Sequence, residues 1–120
     1  MNNFHPGVDI VDVDRIKSSI EKYQDKFLTK VFSKEEQVYC NSKSNPFIHF
    51  SGKFAAKEAV MKAVFNSKKL SSIGFKDISI INDKNGAPTV FIHGNSEKNI
   101  NISISHTNEQ AIAFAILKEK

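Results

Sequence analysis

The sequence predicts an α+β fold, with a small antiparallel-rich sheet packed on one long central helix. Three observations carry that expectation: residues 50–65 are apolar on two sides of a helical wheel, the last third of the chain alternates with the two-residue period of strands, and a short β-branched run lies near the start. At 120 residues, 40% hydrophobic and 25% charged, the chain reads as a single domain over residues 1–120, with material for one core and not for two.

Residues 7–13 form the opening strand, with Pro6 marking where it begins. Alternate side chains share a face, so Asp9 sits beside Val11 and Val13 while Val8 and Ile10 point the other way. Both faces are apolar apart from two aspartates, and Asp9 therefore needs a partner cation or access to water. Asp12 or Asp14 can cap the helix that follows. Over residues 15–30, Ile16, Ile20, Tyr23 and Phe27 fall on one face of that helix, and Arg15, Lys22, Lys26 and Lys30 line up beside it. Such a basic stripe is either a solvated face or a dock for an acidic helix. Ser33-Lys34-Glu35-Glu36 matches a capping box and starts a short helix through Val38 and Tyr39.

Asn45 and Pro46 provide a cap and a first helical position for the central helix, which ends near Asn66. On it, Phe50, Phe54, Val60, Met61, Val64 and Phe65 form a bulky arc, and Ala55, Ala56, Ala59 and Ala63 a smooth arc opposite. Four charges interrupt this scheme: Lys53, Lys57, Glu58 and Lys62. Lys53 and Lys57 are like charges at i, i+4, unfavourable unless an anion lies between them, and Glu58 and Lys62 stack at the same spacing. Either the lysines snorkel and Glu58–Lys62 is an ordinary helix pair, or the helix serves a polyanion and a metal. Gly52 tolerates close approach of a backbone or a ligand. Residues 67–74 read as a polar linker. Four strands follow at 75–81, 89–93, 99–105 and 110–117, and Asp83-Lys84-Asn85-Gly86 is a hairpin signal. The last strand sets Ile112, Phe114 and Ile116 on one face and Ala111, Ala113 and Ala115 on the other, so both faces are expected to be covered, the alanine face by a helix or a neighbouring subunit. Ser103-Ile104-Ser105-His106-Thr107, at a strand exit, is either a turn with hydroxyl caps or a compact donor set for a phosphate.

Composition narrows the function classes. A formal net charge of +4 suggests an acidic partner: a nucleic acid, a phosphorylated small molecule or an acidic protein. Nucleic-acid binding would call for stacking aromatics on an exposed face, and the phenylalanines fall mostly at buried positions, so no nucleic-acid partner is expected. No apolar run is long enough to cross a bilayer, and the first residues lack the regions of a signal peptide, so the chain is expected in the cytoplasm without a membrane partner. Cys40 stands alone, which excludes an internal disulfide.

Four motifs occur in order: Gly7-Val8-Asp9-Ile10-Val11-Asp12-Val13-Asp14-Arg15-Ile16, Phe54-Ala55-Ala56-Lys57-Glu58-Ala59 with Lys62-Ala63, Asn82-Asp83-Lys84-Asn85-Gly86-Ala87-Pro88, and Ser103-Ile104-Ser105-His106-Thr107. Together they resemble the successive motifs of the holo-acyl-carrier-protein synthases, 4′-phosphopantetheinyl transferases of the small trimeric type. The resemblance implies that fold, a homotrimer with active sites between subunits, and transfer of the phosphopantetheine arm of coenzyme A to a serine of apo acyl carrier protein, an acidic partner. It implies that Asp9 and Glu58 hold Mg²⁺ against the coenzyme A diphosphate and that Lys62 counters charge on the phosphate oxygens, which suits a metal that takes one or two carboxylates and completes its shell with phosphate and water. Glu58, directly or through a metal-bound water, is the expected proton acceptor. Lys53, Lys57, Lys62, Pro88, His106 and Thr107 are the implied coenzyme A contacts, the last two at its 3′-phosphate, and Arg15, Lys22 and Lys26 the carrier-docking residues. A Mg²⁺-dependent phosphohydrolase and a non-enzymatic basic binding module are the rival readings. The chain departs from the family pattern at His5, where glycine is usual, at Lys53, where arginine is more frequent, and after Ala63, where Val64-Phe65-Asn66-Ser67 replaces a Gly-Thr-Gly turn.

Overall fold

The computed structural model describes residues 3–68 and 72–119. Strand β1 (Phe4–Asp12) leads into helices α1 (Val13–Tyr23), α2 (Asp25–Val31), α3 (Lys34–Asn41) and α4 (Pro46–Ser67). A short 3₁₀ turn at Phe75–Asp77 then precedes β2 (Ile78–Asn82), β3 (Pro88–Ile92), β4 (Asn95–Ser96), β5 (Ile100–His106) and β6 (Gln110–Lys118). Of the polar linker expected over residues 67–74, positions 69–71 lie outside the described residues.

The predicted α+β architecture holds, with two three-stranded antiparallel sheets in place of one: β1-β6-β5 and β2-β3-β4. The Asp83 turn joins β2 to β3. Asp83 Oδ1 accepts from the backbone N–H of Asn85 and Ala87, and Gly86 takes a φ of +87° that suits glycine. As its two apolar arcs require, α4 is packed on two sides: β1, β6 and β5 cover one, while α1, α3 and β2 cover the other. The alanine arc lies where the large sheet comes close, and Ala55, Ala56, Ala59 and Ala63 are fully buried against Ala111, Ala113 and Ala115 of the same core.

The tightest approach is at Gly7. A Cβ built there would stand 1.9 Å from the Ala59 carbonyl oxygen and 2.7 Å from the Ala63 amide nitrogen, both immovable backbone atoms. Gly52, where the sequence suggested such an approach, meets only an Ile104 methyl at 3.1 Å. Gly7→Ala must push β1 off α4, and its expected cost reaches or exceeds the upper end of the roughly 1–3 kcal/mol of ordinary overpacking. Urea unfolding measures it, and a change under about 0.5 kcal/mol would contradict the contact.

Two further expectations are corrected. The helix over 15–30 is broken at Gln24 (φ 48°), which closes α1 by donating its N–H to Ile20 and opens α2 by accepting from Phe27 and Leu28. Lys26 is thereby carried onto a different helix from Arg15 and Lys22, so the straight basic stripe is interrupted. Asp12 occupies the cap position of α1 without capping it, since its carboxylate accepts from the Gln110 side chain (3.1 Å).

Within one chain only the alanine face of β6 is covered. The alanine face is sealed by α4, which leaves no room there for a neighbouring subunit. Phe114 pairs in register with Val8, and Ile112 with Ile10, so these side chains share the outer face with Phe4. All five are 42–56% exposed. A large apolar patch of this kind marks a contact surface.

Candidate active site

The strand β1 and the helix α4 bring Asp9, Glu58 and Lys62 together. Asp9 points to the inner face of β1, as alternation required, and its cation is Lys62, whose Nζ donates to Asp9 Oδ1 (3.3 Å) and to the Val8 carbonyl oxygen (2.8 Å). Lys62 thus meets the strand, where the sequence paired it with Glu58 along the helix. Glu58 is half-buried one turn before it. Burial raises the Glu58 pKa, the Asp9 charge raises it further, and Lys62 and Arg15 oppose the rise. A carboxyl pushed up by a second carboxylate is a place where a cation is welcome. Among the described residues no cluster of three or more His, Cys, Asp or Glu side chains exists, so a protein-only cage is absent. Two hard oxygen donors fit Mg²⁺ that draws its remaining ligands from phosphate and water.

Beside Lys62 opens a cavity of about 690 Å³, lined mainly by apolar groups of β1 and α4, with Phe65 at its rim and Phe114 from β6. Its mostly apolar lining suits an organic chain next to the cationic head of Lys62.

The remaining predicted phosphate contacts lie elsewhere. Lys53, Pro88 and His106 line a second cavity of about 280 Å³ that shares no residue with the first. Lys53 is nearly buried, donates to the Ile80 carbonyl oxygen and Asn82 Oδ1 (2.7 Å each), and lies over the Tyr39 ring. Thr107, beside His106, turns its hydroxyl oxygen to the N–H groups of Glu109 and Gln110. Lys53 and Lys62 are nine residues apart on α4, which places them on opposite sides of the helix. One chain therefore holds two partial sites. Sequence inspection did not single out His49, Tyr39 or Asn82 in the second cavity. The available signal was His49 breaking an apolar run one turn ahead of Lys53.

Lys57 is corrected outright. Its ammonium is sealed in the core, bonded to Glu36 Oε1 (2.6 Å), the Val31 carbonyl oxygen (2.6 Å) and the Phe75 carbonyl oxygen (3.3 Å). Three acceptors use its three protons, and it reaches no cavity surface. Glu36 fixes more than the lysine: Oε1 also accepts from Ser33 N, completing the predicted capping box, and Oε2 accepts from Ile80 N at 2.6 Å. Arg15 and Lys22 are exposed on α1 and Lys26 on α2. His5, the departure at the amino end, faces Glu119 at 3.5 Å.

Residues 6–115 match the sequence profile of the 4′-phosphopantetheinyl transferase superfamily. The chain is similar to the holo-[acyl-carrier-protein] synthases of Thermodesulfovibrio yellowstonii, 47% identical with 92% of this chain and 95% of that one covered, and of Protochlamydia amoebophila, 42% identical with 92% and 93% covered. Its fold is similar to crystal structures of the Bacillus anthracis synthase in complex with CoA (30% identity, TM-score 0.77, 97% and 96% of the chains) and of the Helicobacter pylori synthase in complex with coenzyme A (30%, 0.77, 94% and 99%).

Proposed function

The chain belongs to the 4′-phosphopantetheinyl transferase superfamily, and from that premise we propose that it is a holo-[acyl-carrier-protein] synthase, moving the 4′-phosphopantetheine arm of coenzyme A to a serine of an apo acyl carrier protein and releasing adenosine 3′,5′-bisphosphate. The observation that carries the reading is the meeting of Asp9, Glu58 and Lys62 beside a mostly apolar cavity.

Asp9 and Glu58 are the residues that would hold Mg²⁺, which when bound supplies electrostatic stabilisation to the diphosphate. The serine oxygen attacks the pantetheine-bearing phosphorus, and the bond from that phosphorus to the bridging oxygen breaks. Glu58 accepts the serine proton, directly or through water. Lys62, more than half exposed and held only by strand acceptors, swings to the phosphate oxygens and counters the charge that builds on the leaving group. The apolar cavity orients the pantetheine arm.

The second partial site, around Lys53, Pro88, His106 and Thr107, takes the 3′-phosphate end of coenzyme A. Because Lys53, Pro88 and His106 line a cavity separate from that beside Lys62, with Thr107 next to His106 in the chain, a complete site needs the second cavity of a neighbouring copy. The open face of Phe4, Val8, Ile10, Ile112 and Phe114 offers the surface for that contact, and the resemblance to the small trimeric type gives three copies. The reaction is assigned to the cytoplasm, where coenzyme A and carrier protein meet.

Incubation with apo carrier protein, coenzyme A and Mg²⁺, followed by mass spectrometry of the carrier, tests the reading. A gain of one phosphopantetheine mass, lost with a chelator, is expected. Hydrolysed coenzyme A without carrier labelling would favour a phosphohydrolase, and no reaction a binding module. Arg15 is exposed on α1 and close enough to lower the Glu58 pKa, so it stands at the entrance through which a carrier serine must come. Arg15→Ala is expected to raise KM for an acidic carrier by about tenfold, the loss of one strong interface contact. A change confined to the KM of coenzyme A would contradict this role.

A further inference from the structure

The second cavity is lined by basic side chains and by no acidic one. Lys53, His49 and His106 all line it, and no Asp or Glu does. The rings of His49, on the first turns of α4, and His106, at the end of β5, meet edge to face with centroids 6.0 Å apart. From α3, Tyr39 packs edge-on against the other side of His49 at 6.1 Å, and Lys43, from the segment between α3 and α4, lies over Tyr39 at 4.6 Å. The Lys53 ammonium is over the same Tyr39 ring, also at 4.6 Å. Thus His49 is faced by an imidazole, a phenol and two ammonium groups, and no side chain lining the cavity is acidic.

Three groups that become cationic on protonation share one small cavity, and a phosphate among them would favour their charged forms. The two imidazoles can each donate to a different oxygen of a single phosphate group, and Asn82 and Lys53 form the floor behind them. We propose that His49 is a specificity-determining residue for coenzyme A, binding its 3′-phosphate opposite His106 and taking up a proton as it does so. The proposal rests on the reading of this cavity as the 3′-phosphate site, and adds to it a residue from the helix itself.

The sign of the pH dependence follows from His49's surroundings. In the free protein burial lowers its pKa, and His106, Lys43 and Lys53 lower it further. A dianionic phosphate beside it raises the value in the complex. Affinity for coenzyme A is therefore greatest at low pH and is lost as pH rises through the pKa of the complex. The phosphate's own second ionisation, near pH 6, acts in the opposite direction. It is common to wild type and variant, so their ratio isolates His49.

The test is calorimetric binding of coenzyme A and of dephospho-coenzyme A, which lacks only the 3′-phosphate, to wild type and His49→Gln at about pH 6.5 and about pH 8.5. The expected result is a loss of coenzyme A affinity of about tenfold in the variant at the lower pH, shrinking at the higher one, with dephospho-coenzyme A unaffected. Proton uptake, read from the dependence of binding heat on buffer ionisation, falls in the variant. Equal affinities of wild type and variant for coenzyme A at both pH values, or an equal loss for both ligands, would overturn the role of His49. If wild type transfers the arm to carrier yet does not distinguish the two ligands, the cavity reading itself fails along with it, while the transferase reading survives.

Discussion

Glu58→Gln is expected to lower the rate of carrier labelling by roughly 10³-fold at saturating Mg²⁺, because the substitution removes the proposed proton acceptor and one proposed metal ligand together. The side chain is half-buried and an amide fills the same volume, so circular dichroism and the unfolding midpoint are expected to stay close to wild type. A near-normal rate would remove Glu58 from the chemistry and with it the proposed mechanism. The electrostatics give a second readout. Burial and then Asp9 raise the Glu58 pKa in the metal-free protein, so its acid form persists there to higher pH than that of an unperturbed glutamate. Asp9→Asn removes one of those causes and is expected to move the Glu58 titration downward when followed by carboxyl-carbon NMR in the metal-free protein. An upward movement would show that the two carboxylates are not the coupled pair described here.

The largest effect on stability is expected at the pair Glu36 and Lys57. Lys57→Met leaves the Glu36 carboxylate in the core with its cation gone, a change that typically costs about 3–5 kcal/mol. It also frees the Val31 and Phe75 carbonyl oxygens. Adding Glu36→Gln removes the stranded charge but keeps an acceptor for only one of the Ser33 and Ile80 N–H groups, so the double variant is expected to recover part of the loss. Urea unfolding of the four proteins in a double-mutant cycle measures the coupling. A Lys57→Met cost under about 1 kcal/mol, the level of an exposed pair, would mean that the ammonium is solvated after all.

The main elements could be read from the chain because their signals are local. Two arcs on one wheel define α4, alternation defines β5 and β6, and Ser33 with Glu36 announces α3. What escaped depends on contacts between elements. The apolar spacing of Ile16, Ile20, Tyr23 and Phe27 runs across Gln24 without interruption, and a glutamine in a left-handed conformation has no compositional mark. Strand composition does not reveal which strands pair, so one sheet was expected where β2-β3-β4 separates from β1-β6-β5. Asp9, Glu58 and Lys62 could be singled out because charges in an apolar setting need partners. Lys57 satisfied the same criterion and proved to be something else, since its partner Glu36 comes from another helix and seemed already engaged as a cap. Charge in the wrong place identifies a residue with a strong requirement, and only the fold tells whether a ligand or a neighbour meets it.

The absent side chain of Gly7 has a consequence beyond packing. Ala59, whose carbonyl it abuts, is the residue after Glu58, and Asp9 follows two positions along the strand. The interval between the two carboxylates is therefore governed by a spot that carries no chemistry of its own, as a calliper is set by its screw and not by its jaws. Substitutions there would register as weakened grip on a divalent ion even when every acidic oxygen is still in place.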